Sequence, residues 1–207
     1  MNKLIKSLSG DLLIVVLLGL VSTTAAWTAI QSSLHGGRSG DAISEYQLSL
    51  SEANNMWITS EVKYRDDLTV WKDKQVRVLV DGVSADDIYS DIKTANGSYE
   101  LYTFAMPCFI ENPKEQLPNC KPYMDALYNP YTKQYESGKY WIDLSNKEGG
   151  HSNRLQMLTG LFAVALFLLG ITAVMKIKNL VSYLVIFSIA LWLFGVFVLI
   201  SIPTIFS

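Results

Sequence analysis

The chain has 207 residues, 50% of them hydrophobic and only 17% charged, with a formal net charge of −2. So few charges exclude an ordinary soluble domain, and the near-balance of sign excludes a basic nucleic-acid footprint. The charges are also unevenly placed: no Asp, Glu, Lys or Arg occurs from Leu12 to Gly37, from Leu155 to Met175 or from Asn179 to Ser207.

Each of these runs is long enough to cross a bilayer as a helix, which takes about 20 apolar residues. The expected spans are 11–32, 155–175 and 179–205. Lys3 and Lys6 precede the first span, and Lys176 and Lys178 sit in or beside the short link 176–178. The excess of positive charge on the cytoplasmic side of membrane proteins places residues 1–10 and that link in the cytoplasm. Residues 33–154 then lie outside. The N-terminus also imitates a secretory signal, with Thr24-Ala25-Ala26 as a passable cleavage site. Apolar character continues through Trp27, Ala29 and Ile30, so a retained helix is the expectation.

At Trp27 to Arg38 the apolar run gives way to charged sequence. Gly36, Gly37 and Gly40 are expected to weaken or bend the chain here. From Asp41 a heptad-like stripe begins: Ile43, Tyr46, Leu50, Ala53, Trp57, Tyr64, Leu68, Trp71 and Val78. That period predicts an amphipathic helix over about 41–80. Asp81-Gly82 signals a turn, Ser84 is a plausible helix cap, and Asn96-Gly97 a stop. Residues 98–122 carry four prolines and both cysteines, and read as an irregular cap. Helical spacing resumes from Met124 through Tyr128, Tyr131 and Tyr135 to Ser145. Pro130 either kinks this helix or marks its start. The chain re-enters the membrane at Gly149 to Arg154, whose glycines, histidine, serine and arginine match the first border.

Cys108 and Cys120 both fall in the segment assigned outside the cytoplasm, where a disulfide is allowed. Closing a loop of about a dozen residues stabilises the fold by on the order of 3 kcal/mol in the chain-entropy model. Too few further ligands lie nearby for a zinc site.

Trp27-Thr28-Ala29-Ile30-Gln31-Ser32-Ser33, with Ala42 and Tyr46 after it, resembles a family of small bacterial membrane proteins of undefined activity. That family has a W-x-x-x-Q-S-S element at the exit of its first span. The stretch Thr159 to Ile171, containing LFAVALFLLGI, is similar to a later span of the same family. The likeness covers about a third of the chain. It implies a bacterial inner-membrane protein with an all-helical hairpin domain, and it supplies no activity. The cysteine pair and the prolines of the tip depart from that pattern.

Several groups of residues bear on function. If the two arms run antiparallel, Gln31, His35, Arg38, His151, Asn153 and Arg154 emerge at similar heights as a polar cluster at the membrane border. The histidines would give it pH sensitivity. The plainer reading is that these residues solvate helix ends and touch lipid phosphates. Asp81, Asp86, Asp87 and Asp91 lack the alternating ligand pattern of a calcium loop and read as a solvated helix start. The aromatic series Tyr123, Tyr128, Tyr131, Tyr135, Tyr140 and Trp141 reads as a seam against Tyr46, Trp57, Tyr64 and Trp71. Gly19, Thr23, Ala26, Gly160, Ala163 and Gly170 are candidates for close helix packing, within one protomer or between two. Asn96-Gly97-Ser98 is a glycosylation sequon. No hydrolase, metalloprotease, phosphate-loop or dinucleotide motif occurs. No acidic residue lies well inside a span, which argues against an ion-coupled transporter.

The sequence thus predicts an all-α integral membrane protein with three transmembrane helices and an extracytoplasmic helical hairpin tied at its tip. The expected role is non-enzymatic, with no catalytic residue, metal or cofactor. Its partners would be the lipid bilayer and either further copies of itself or another membrane protein. The alternative is a subunit of an oligomeric pore, lined by Thr23, Thr24 and Thr28 or by Ser182, Ser188 and Ser201.

Overall fold

The computed structural model describes residues 2–84, 87, 97–111, 120–175 and 177–205. The described residues are all-helical apart from short connections. Helix α1 runs Asn2–Asp81, a π-helical turn covers Leu101–Ala105, α2 is Met106–Glu111, α3 is Lys121–Val174 and α4 is Lys178–Ile200. Three helices are long and apolar enough to cross a membrane, namely α1, α3 and α4. The expected short helix between Ser84 and Asn96 lies almost wholly outside the described residues, as do Asp86, Asp91 and Lys176.

Two compact units divide the chain: Met1–Ile43 with Ile142–Ser207, and Ser44–Trp141. In the first, α1, α3 and α4 pack around Val21, Leu155, Leu158, Phe162, Ala165 and Leu169. The hydroxyls of Ser22, Thr23, Thr24, Thr28 and Ser188 each donate to the carbonyl four residues earlier on their own helix. In hydrocarbon such bonds satisfy a polar group at little cost. Trp192 Nε1 donates to Thr24 Oγ1 at 3.0 Å, tying α4 to α1.

Helix α1 runs unbroken through the glycines of the first border. Two border glycines serve close approach instead. A Cβ on Gly36 would lie 3.3 Å from Ser152 Oγ, and one on Gly149 would lie 3.1 Å from Ser39 Oγ. Helix α4 stops at Ile200, short of the expected 205, because Pro203 biases the residue before it away from helix.

The second unit is built on Trp71, Leu101, Ala105, Met106, Cys120, Tyr123 and Leu127. Part of the expected irregular cap is helical. Pro107 has no N–H to offer its own turn, and the ladder just before it widens, with Met106 N–H bonding to Leu101 O. The Cys108 and Cys120 sulfurs stand 2.10 Å apart, at disulfide distance. Asp67 is buried and accepts from Ser98 N–H at 2.9 Å, Ser98 Oγ at 2.5 Å and Tyr123 OH at 2.9 Å. Ser98, the third residue of the sequon, is thereby committed to the core. Pro130 lies inside α3, which begins at Lys121. Close to it, Ser60 Oγ donates to Leu127 O at 2.8 Å.

The α1 face that packs inward departs from the apolar stripe. Tyr46, Tyr64, Leu68 and Trp71 are at least partly covered and Ala53 is buried, whereas Ile43, Leu50 and Trp57 are exposed. The buried register runs instead through Ala42, Ser49, Ala53, Ser60 and Asp67. These are small or polar residues, so burial here follows size and hydrogen bonding as well as hydropathy. The aromatic seam forms in part. Tyr123 is fully buried and Tyr128 OH donates to Glu61 Oε1 at 2.6 Å, while Tyr135, Tyr140 and Trp57 stay exposed.

Candidate functional site: a polar seam at the membrane border

Within the first unit, α1 and α3 are antiparallel, and their contact is polar where it leaves the apolar core. Ser32 Oγ donates to Ser152 O at 3.1 Å, and Ser152 Oγ donates back to Ser32 O at 2.9 Å. One heptad on, Ser39 Oγ and Ser145 O are 3.0 Å apart, as are Ser145 Oγ and Ser39 O. A serine is short enough to let two helices close on each other, and its hydroxyl then reaches the opposite backbone. This is why small residues serve better here than large apolar ones.

Between the two serine pairs sits His35, buried, with Nδ1 2.5 Å from Glu148 Oε2. Its Nε2 lies 3.2 Å from the carbonyl of Pro203. The segment after α4 therefore folds back onto α1. Gln31 Oε1 accepts from Ile205 N–H at 3.2 Å in the same place. His151 stacks obliquely beside His35, ring centroids 5.3 Å apart. The Nε2 atoms of Gln31 and His151 are buried with no hydrogen-bond partner among the described residues.

The electrostatics are local. Burial pushes the His151 pKa below its ordinary value, and the neighbouring His35 pushes the same way; Glu148 opposes them. Both neighbours of His35 are acceptors, and a neutral imidazole has only one N–H. Glu148 and the Pro203 carbonyl thus hold the ring between them, one against each nitrogen.

Of the residues expected at this border, the structure brings together Gln31, His35 and His151. Arg38, Asn153 and Arg154 are exposed, and none makes a hydrogen bond to the network among the described residues. The sequence reading missed Glu148, the four serines and the returning C-terminal segment. Glu148 lies one helical turn before His151. The heptad spacing of Ser145 and Ser152 around Glu148, mirrored by Ser32 and Ser39 around His35, is the signal that would have found them. Among the described residues, no group of three or more His, Cys, Asp or Glu is placed to hold a metal ion.

The six small residues singled out for helix packing are not at the seam. Gly19, Thr23, Ala26, Gly160 and Ala163 are exposed, and a Cβ on Gly19, Gly160 or Gly170 would meet nothing within 4 Å. Among the described glycines, the tightest approach is at Gly195. A Cβ there would overlap the Phe162 ring and lie 3.0 Å from Leu161 Cδ2.

No protein-family model matches the chain, and neither a curated protein nor a solved structure is significantly similar to it.

Proposed function

We propose that this is a non-enzymatic, multi-pass protein of a bacterial inner membrane, whose residues 33–154 form a helical hairpin outside the cytoplasm that mediates self-assembly. The observation that carries this reading is the exposure of Leu48, Leu50, Trp57, Ile58 and Val62 on one stretch of α1 beyond the predicted spans. A segment in water gains by covering such side chains, each of which stabilises a contact by up to about 1.5–3 kcal/mol when fully buried. The exposed Gly19, Thr23 and Ala26 add a stripe within the first span along which a second helix can approach closely. The lysines flanking the spans support the orientation. The resemblance to small bacterial membrane proteins supports the location. Another membrane protein is the other occupant this surface would accept.

The pore reading is less well supported. Thr28 and Ser188 are fully buried inside the first unit, and the hydroxyls of Thr23, Thr24 and Ser201 are bonded to nearby backbone carbonyls, so five of the six candidate lining hydroxyls are occupied or enclosed.

In-membrane cross-linking with mass spectrometry tests the proposal. Expected are links between copies within residues 48–62, abolished by the Ile58→Glu, Val62→Glu double variant. A strict monomer in mild detergent, with neither self-links nor partner links in membranes, would overturn it.

A further inference from the structure

A second feature of the first unit is independent of self-assembly. A cleft of about 390 Å³ lies between α3 and α4, within the size range of ligand pockets. Its lining is ordered by polarity. Phe162 meets Gly195, which puts Leu161 and Phe194 at one level. His35 reaches both Glu148 and Pro203, which puts the end of α4 near the start of the span on α3. Arg154 and Ser201 therefore stand at the border end of the cleft, and Met157, Val198, Leu161 and Phe194 continue it towards the bilayer interior.

The polar end carries a lone cation. Arg154 is exposed and makes no ion pair among the described residues, and it sits one residue before a run of 21 uncharged positions, 155–175. The only acidic side chain of the neighbouring turns, Glu148, is engaged with His35. A guanidinium at the mouth of an apolar cleft matches a molecule with an anionic head and a hydrocarbon tail. Arginine binds phosphate oxygens through paired N–H donors, and the tail would lie on side chains that otherwise face lipid non-specifically.

We infer that the cleft between α3 and α4 is a binding site for a single phospholipid, its phosphate on Arg154 and one acyl chain against Met157, Leu161, Phe194 and Val198. The outer leaflet supplies this ligand if the proposed orientation holds, and the inner leaflet if it is reversed, so the site does not depend on that orientation.

Native mass spectrometry of the full-length protein in mild detergent, titrated with dioleoyl phosphatidylglycerol, tests the site. The expected result is one retained lipid per chain. Arg154→Gln should weaken retention about tenfold, the loss of a charge-assisted contact. Leu161→Trp, or Val198→Phe if the first variant is not monodisperse, should weaken it comparably by filling the cleft. Arg38→Gln, an arginine outside the cleft, should bind like the unmodified protein. Glycerol phosphate should not compete, because it lacks the chain, and a neutral alkyl maltoside should compete only weakly. Equal retention by Arg154→Gln and by a monodisperse cleft-filling variant would overturn the inference. So would full competition by glycerol phosphate, which would reduce the site to a surface anion contact, or equal loss in Arg38→Gln, which would mark a diffuse charge effect.

Discussion

His35 stands between Glu148 and the Pro203 carbonyl, and the histidine beside it has consequences for pH. The neighbouring His151 has a pKa below its ordinary value of 6.5, first because it is buried and then because His35 lies beside it. A histidine with a depressed folded pKa binds fewer protons folded than unfolded. It therefore costs the folded state little at neutral pH and turns against it as pH falls through 6.5. The apparent melting temperature of the purified protein should drop between about pH 7.5 and pH 5.5, a window set by the ordinary histidine pKa. His151→Gln should flatten that slope, as read by a thermal-shift series in detergent. Glu148→Gln should destabilise by about 1–3 kcal/mol, because it weakens a buried hydrogen bond to His35. Circular dichroism melts would measure it. None of this was legible from residue types alone. Two histidines and two arginines look alike in a border sequence, and only the antiparallel pairing decides which of them turns inward.

At the scale of elements, glycine and proline mark where helices meet and stop. Gly82 takes a φ of +64°, the left-handed conformation that ends α1 at Asp81, and the Asp81-Gly82 signal anticipated that end. A glycine inside a long helix looks the same in sequence whether it loosens the chain or admits a neighbour. Gly195 shows the second use most sharply. Gly195→Ala would drive a methyl into the buried Phe162, and should cost about 1–3 kcal/mol. Phe162→Leu, which relieves the overlap, should recover part of that loss in the double variant. A measured effect of Gly195→Ala within about 0.5 kcal/mol of zero, the usual range for neutral surface changes, would show that the ring moves aside freely.

For the molecule as a whole, the three apolar spans and the helical class were plain from charge distribution, since excluding ionisable groups from hydrocarbon outweighs every local preference. The packing register was not. An apolar stripe predicts a core face when burial is driven by hydrocarbon, yet Ser49, Ser60 and Asp67 lie inward while Leu50 and Ile58 lie outward. Hydrogen bonds across a close contact made that choice. Orientation is a prediction at this scale too. With residues 33–154 outside the cytoplasm, as proposed, Asp143→Cys should react with a membrane-impermeant maleimide in intact cells. Asn179→Cys should react only after the membrane is opened. The opposite pattern would invert the proposed topology.

The serine pairs of the border seam carry a consequence for how the two helices find each other. Slide α3 by one heptad in either direction and a serine still meets a serine: Ser32 would face Ser145, or Ser39 would face Ser152. Small side chains forgive such a slip. His35 would then face Trp141 or Leu155, and Glu148 would face Thr28 or Ala42, leaving both buried polar groups without the partner each has now. The serines act as teeth of equal pitch, and the histidine–glutamate pair is the single keyed tooth that admits one setting of the comb.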